Sequence, residues 1–361
     1  MYSYGYWQAT LYSLTGAAAK GLTMKFGPIP TEQAEGKILG HNIAAADGRR
    51  LFRKGRALTT ADISALLQSG RTVVYVADLQ ANDVSENEAA QRVTTAVIGP
   101  NLTYTGPAAG RTNLRANVLG VLRIDANRLA RLNSQLGITL ATLTTNTAVS
   151  PRKIVATVKV IPYAVSETAV TAIKDIAAES GPLIRIDALP PRRVHLILSG
   201  SPPAQERIVG SFEPPLRNRL QALGSTLDQV DFIPLEDESG ERDLAAKIQE
   251  RLQAKVGLII LAGETAIMDR HDIAPRAVER AGGVVTCFGA PVDPGNLLML
   301  AYIGRVPILG APGCARSPKP NIVDKVLPRL LVGDRLTQTD IVALGHGGLL
   351  EDVAERPYPR H

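Results

Sequence analysis

The chain has 361 residues, 45% apolar and 20% charged, enough for two or three domains with cores of their own, which excludes global disorder. Forty Lys and Arg against 34 Asp and Glu leave a net charge of +6, spread along the sequence. That distribution favours an anionic small ligand and offers nucleic acid no concentrated basic surface.

In chain order, residues 1–23 have neither a charged leader nor an unbroken apolar core, and are expected to be a disordered or wrongly included extension ahead of Met24. No run approaches the roughly 18–20 apolar residues of a membrane span, so no membrane association and a cytoplasmic location are expected. The two cysteines, Cys287 and Cys314, cannot build a disulfide framework, and no Cys/His spacing matches a zinc site.

Residues 24–98 read as a small α+β unit. An apolar strand over Lys37–Ile43 is followed by a turn at Asp47-Gly48. A helix then opens at Thr59 or Thr60, with Asp62 in its first turn, an apolar face at Ile63, Leu66 and Leu67, and Gly70 as its stop. The acidic stretch after Asp83 is helix-prone. Residues 99–190 are strand-rich, with helices expected over Ala126–Gln135 and Ser166–Glu179. The alternation over Lys153–Val160 marks a strand with one solvated face.

After the Pro190-Pro191-Arg192-Arg193 step the order changes to repeated strand and helix. VHLILSG, DQVDFIPL and GLIILAG are nearly continuous apolar strands separated by amphipathic helices, the pattern of a mostly parallel sheet covered on both faces. The predicted fold class is therefore α/β, with a C-terminal doubly wound, mostly parallel sheet over 191–346 preceded by the smaller α+β and strand-rich units. Residues 347–361 form a Pro/Arg-rich tail. Aromatics at 4% suit such layered packing.

Ligands of open α/β sheets bind beyond the carboxyl ends of the strands, which directs attention to two loops. The first follows GLIILAG and holds Gly263, Glu264, Thr265, Asp269, Arg270 and Asp272 just before a helix. Asp269 and Asp272 either complement the helix dipole or hold a hydrated Mg²⁺. The second is GAPGCARSPKPN. Gly310, Pro312 and Gly313 let its backbone turn, and Cys314, Arg316, Ser317 and Lys319 precede a helix over Ile322–Leu331. It is either an anion site of N–H groups and cations or a strand-to-helix turn with solvated charges. Cys314, beside basic residues, is either a thiol of lowered pKa or a small turn residue. Of the histidines, His195 reads as a core residue, His346 as a turn residue, and His271 alone lies near the loops. No P-loop, dinucleotide-binding glycine fingerprint or nucleophile elbow is present.

These residues carry a family resemblance. AGETAIMDRHDIAP (Ala262–Pro275) and APGCARSP (Ala311–Pro318) resemble, in order, the two loop motifs of the molybdopterin-binding domain shared by molybdopterin adenylyltransferases and molybdopterin molybdotransferases. GKILGHNIAAADGRRLFRKGRALTTADISALLQSG, from Gly36 to Gly70, resembles a segment that molybdotransferases place ahead of that domain. PVDPGNLLML and ILGAPGCARSPK resemble most strongly the molybdopterin-binding proteins found alone or fused to a molybdenum cofactor cytidylyltransferase.

The resemblance implies a role in molybdenum cofactor biosynthesis with molybdopterin, or its adenylylated or molybdenum-loaded form, as ligand or substrate. Asp269 and Asp272 would be the catalytic carboxylates. Glu264, Asp269 and Asp272 would hold Mg²⁺. Gly263, Glu264, Thr265, Arg270, Gly310, Pro312, Gly313, Cys314, Arg316, Ser317 and Lys319 would meet the pterin and its phosphate. Family resemblance also implies a homodimer and a cytidylyltransferase partner. Where the family has a neutral Gly/Thr or Gly/Ser turn, this chain has Gly263-Glu264-Thr265-Ala266, which implies pterin binding rather than adenylyl transfer. Two roles stay open, a molybdotransferase-like enzyme and a carrier that hands the cofactor on.

Overall fold

A computed structural model describes residues 24–45, 47–235 and 239–350; the extension expected over 1–23 and the tail beyond residue 350 lie outside the described residues. The chain forms two compact units that share its length unevenly. Unit 1 comprises residues 1–116, 124–143 and 152–185; unit 2 comprises 117–123, 144–151 and 186–361. No helix among the described residues is long and apolar enough to cross a membrane.

Unit 1 is strand-rich. Lys25–Pro30, Ile38–Leu39 and Val73–Asp78 form an antiparallel sheet against the helix Thr60–Gln68. That helix is opened by Thr59, whose hydroxyl accepts from the Asp62 N–H while the Asp62 carboxylate accepts from the Thr59 N–H, a reciprocal cap. A second sheet contains Ile154–Val160; Ala156, Val158 and Val160 are buried in the predicted alternation, but at its start, where the register shifts between Ile154 and Ala156, Val155 is buried and Ile154 is exposed.

A repeat in this unit escaped the reading of the sequence. Val84-Ser85-Glu86 and Val165-Ser166-Glu167 each end a three-residue strand and open a twelve-residue helix, Glu86–Val97 and Glu167–Ala178. The two strands pair antiparallel with Val84 opposite Val165, and the guanidinium of Arg92 in one helix pairs with Glu167 of the other.

Unit 2 has the predicted α/β fold. Its strands are β1 (Arg193–Gly200), β2 (Thr226–Pro234), β3 (Leu258–Gly263), β4 (Val284–Phe288), β5 (Met299–Ile303) and β6 (Val306–Gly310). Its helices are α1 (Gln205–Ala222), α2 (Gly240–Gln253), α3 (Ile273–Arg280), α4 (Ile322–Val332) and α5 (Gln338–Val342). The sheet order is β2-β1-β3-β6-β5-β4, with β5 antiparallel to both neighbours and the others parallel to one another.

Successive residues of β3 explain the two-sided burial. Leu258, Ile260 and Ala262 join the core beneath α1 and α4, whereas Ile259 and Leu261 join the core beneath α2 and α3. A strand with no solvated face must be apolar at every position, the pattern GLIILAG shows. The parallel order brings the ends of β1, β3 and β6 to one edge, with Ser199 opposite Gly263 and Leu261 opposite Gly310.

Candidate ligand site at the carboxyl edge of the sheet

Gly263 ends β3 against β1 so closely that a β-carbon there would stand 2.8 Å from the Ser199 hydroxyl and 2.9 Å from its carbonyl oxygen. The chain then turns through Glu264. Its carboxylate accepts from the Ser201 N–H at 2.9 Å, the Ser201 hydroxyl at 2.8 Å and Arg207 Nη2 at 2.9 Å. The Ser201 N–H and hydroxyl, with the Arg207 charge, hold its pKa below the ordinary value despite the opposing effect of desolvation. The negative charge expected to oppose a phosphate here is thus paired within the fold, and it ties the end of β1 to the turn after β3.

Asp272 is the residue before α3, with extended backbone geometry. Its Oδ2 accepts from the N–H groups of Met268 (2.6 Å) and Asp269 (3.0 Å), closing the loop behind it instead of capping the helix ahead. Asp269 is exposed. Its Oδ1 accepts from the His271 N–H at 2.7 Å and lies 2.9 Å from His271 Nδ1, and the backbone bond first and the ring second lower its pKa. Arg270 faces solvent and makes a loose 3.6 Å pair with Glu279.

Among the described residues no group of three or more His, Cys, Asp or Glu stands ready to hold a metal ion. Glu264, Asp269 and Asp272, the set expected for Mg²⁺, are each engaged with different protein partners. They do not form a common ligand shell.

The second loop leaves β6 at Gly310, where a β-carbon would meet the Met299 β-carbon at 2.7 Å and Ile267 of the first loop at 2.8 Å. The Ala311 N–H donates to the Leu261 carbonyl at 2.7 Å, so the two loops start side by side. Pro312 precedes a single 3₁₀ turn over Gly313–Arg316. Cys314 packs against the core, and burial raises its thiol pKa, overriding the acidification expected from nearby cations. Arg316 lays its guanidinium over the Phe212 ring of α1, 4.8 Å from the centroid. Its Nε is buried without a hydrogen-bond partner among the described residues. The Ser317 hydroxyl accepts from the Lys319 N–H, while Lys319 is exposed and its ammonium meets no carboxylate among the described residues.

Two residues that motif reading missed organise this loop. Arg219, in the last turn of α1, donates to the carbonyl oxygens of Ala315, Ser317 and Lys319 and pairs with Asp324 at 2.8 Å. Asn321 caps α4 by accepting from the Val323 N–H and donates to the Cys314 and Lys319 carbonyls. Only the capping pattern Asn321-x-x-Asp324 was legible; an arginine in the last turn of a helix reads as a partner of that helix's own terminal carbonyls and gives no such signal.

Between the first loop and the α2 and α3 face of the sheet lies a cavity of about 100 Å³, lined by Leu244, Leu261 and Ile273 beside Ser199, Thr265 and Asp272, and reached from the second loop by Ala311 alone. Arg316, Ser317 and Lys319 do not line it.

Residues 28–78 match a family model described as a domain of unknown function, DUF8806. No curated protein matches the chain. Among solved structures, a molybdenum cofactor biosynthesis protein from Pyrococcus furiosus is similar at 10% identity and a TM-score of 0.21, over 88% of this chain and 65% of that one. A molybdopterin biosynthesis moeA protein from Pyrococcus horikoshii OT3 is similar at 11% identity and a TM-score of 0.25, over 88% of this chain and 75% of that one. A molybdenum cofactor biosynthesis protein B is similar at 15% identity and a TM-score of 0.29, over 40% of this chain and 96% of that one. The chain thus spans just under two thirds of the first of these proteins.

Proposed function

We propose that unit 2 binds molybdopterin, or its molybdenum-loaded or nucleotidylated form, at the carboxyl edge of its sheet and takes part in molybdenum cofactor biosynthesis. One observation carries the reading: the two loops that resemble the family's motifs leave neighbouring strands β3 and β6 side by side, and a cavity lies against the first of them with Ala311 of the second at its edge. At about 100 Å³ the cavity is smaller than the roughly 300–1,000 Å³ of a typical small-molecule site. It takes one end of the ligand beside Thr265, and the remainder lies along the exposed loop surface. Lys319 is the free cation of the second loop and meets the phosphate. Arg316, spread over Phe212, supports the loop from beneath.

The tied carboxylates favour carriage of the cofactor over Mg²⁺-dependent molybdate insertion. Glu264 is occupied by Ser201 and Arg207, and Asp272 by two backbone donors, which leaves no shared acidic shell. A carrier would pass its cargo to a cytidylyltransferase or to a molybdoenzyme. Anaerobic calorimetric titration with molybdopterin tests the reading. Binding that survives chelation of divalent cations and weakens about tenfold in Lys319→Ala supports carriage. Turnover of molybdate that requires Mg²⁺ supports the transferase, and the absence of heat with every pterin form overturns both.

A further inference from the structure

At the opposite edge of the same sheet, unit 2 holds a larger and more cationic cavity. It has a volume of about 480 Å³, and its lining includes Arg192, Tyr302, Arg305, Gly333, Asp334 and Arg335. Arg192 immediately precedes β1, Arg305 lies in the turn between β5 and β6, and Gly333 to Arg335 follow the end of α4. The volume falls within the roughly 300–1,000 Å³ usual for small-molecule sites.

Charge is what distinguishes this cavity. Asp334 is the acidic residue of its lining, and both its oxygens are taken by arginines outside it, Arg123 at 2.7 Å and Arg329 at 3.0 Å. Among the described residues none of Arg192, Arg305 and Arg335 has a carboxylate within ion-pair distance.

Two of the three guanidiniums are positioned by neutral partners. Arg192 donates Nε–H to the Leu331 carbonyl at 3.2 Å. Arg335 lies over the Tyr302 ring, 4.3 Å from its centroid, and donates to the Gly304 carbonyl at 3.0 Å. Tyr302 is itself fixed, since its hydroxyl accepts from the Leu336 N–H at 2.8 Å and lies 3.3 Å from the Leu336 carbonyl. Satisfying the C-terminal carbonyls of α4 accounts for Arg192 alone. It leaves Arg335 held by the Tyr302 ring and the Gly304 carbonyl with no counter-ion, and the Arg305 side chain with no hydrogen-bond or ion-pair partner among the described residues.

We propose that this cavity binds the polyphosphate group of a small ligand, either free pyrophosphate or a nucleoside diphosphate. Guanidinium groups present forked donors that match phosphoryl oxygens, and the volume has room for more than one phosphoryl group. The site is independent of the pterin reading, because it lies at the amino ends of β1, β3 and β6 and shares no residue with the loops at their carboxyl ends.

The test uses the full chain and calorimetric titration with inorganic pyrophosphate and, separately, ADP, each at low and at moderate salt. The expected result is saturable binding that weakens with salt, falls about tenfold or more in Arg305→Ala, and is unchanged in Lys319→Ala. Arg305 is exposed and its side chain meets no partner among the described residues, so its replacement leaves the fold intact, and an unaltered thermal unfolding midpoint verifies this. Equal binding of both probes identifies the polyphosphate as the recognised group; tighter binding of ADP, still dependent on Arg305, adds a nucleoside contact. Binding of neither probe, or binding that Lys319→Ala removes and Arg305→Ala does not, overturns the proposal.

Discussion

Arg219 and Asp324 stand 105 positions apart in sequence and are joined by a 2.8 Å ion pair that fastens α1 to the first turn of α4. Around that pair the guanidinium gathers three carbonyl oxygens of the Gly/Pro-rich loop, so one side chain holds together backbone that forms no sheet or long helix. Replacing Arg219 with Met keeps most of the aliphatic stem and removes every one of these donors. Denaturant unfolding of R219M should show a loss of about 2–3 kcal/mol, since hydrogen bonds to charged groups contribute about 1.5–3 kcal/mol. An unchanged midpoint would mean that water replaces the guanidinium without cost.

Lys319 and Arg316 are three positions apart and should behave differently. Lys319→Ala is expected to weaken pterin binding about tenfold with no change in stability. Arg316→Met should leave affinity within about twofold, because its guanidinium is spent on the Phe212 ring. Parallel titrations of the two variants decide the matter, and equal losses of affinity would place both cations on the ligand.

His195 gives unit 2 a sensitivity to mild acid. Burial first, and the nearby Arg251 and Arg193 charges after it, hold its pKa below the ordinary 6.5, against the opposing influence of Asp228 at 3.4 Å. Its Nδ1 is buried with no hydrogen-bond partner among the described residues, and Arg251 is itself paired with Asp231. The folded state therefore binds fewer protons than the unfolded chain, and stability should fall as the pH drops through and below about 6.5. In His195→Leu the stability profile between about pH 7 and about pH 5 should flatten, as read by thermal unfolding across that range. A variant with the wild-type slope would remove His195 from the account.

Asp340 acts at lower pH and in the same direction. Burial would raise its carboxyl pKa, but the Thr337 hydroxyl and N–H and the Arg329 guanidinium outweigh it and hold the pKa at about 2. The stability it adds is complete above its ordinary value of 3.8 and is lost as the pH falls through about 2. Asp340→Asn should cost about 1 kcal/mol at neutral pH through the damaged cap of α5. The variant should also show a shallower acid limb than the wild type in pH-jump unfolding.

Much of this architecture could be read from the residues because burial on both faces leaves a direct trace. GLIILAG has no polar position, so a central parallel strand followed from its composition, and the threonine pair with Asp62 announced its helix, although the cap falls on Thr59 and not on Thr60 as the sequence favours. The candidate loops were legible through their glycines and their place after strands. Side-chain commitments within them were not. Nothing in the spacing of Glu264 reveals that Ser201, 63 positions away, would satisfy it, and Arg316 looks like a free cation until Phe212 is placed beneath it. The repeat around Val84 and Val165 was hidden by its brevity, since three identical residues per copy stand out only once their strands are paired.

The interleaving of the two units has a consequence for synthesis. Residues 117–123 and 144–151 belong to unit 2 although most of that unit begins at Ile186, and Arg123 meets Asp334 across 211 positions. A ribosome adding about 5–20 residues per second leaves Arg123 waiting roughly 10–40 s for its partner. During that interval these two threads are committed to a unit that does not yet exist, while unit 1 is completed at Arg185. Cutting the gene before Ile186 would make the wait permanent, yielding a C-terminal fragment in which Asp334 lacks one of its two guanidiniums.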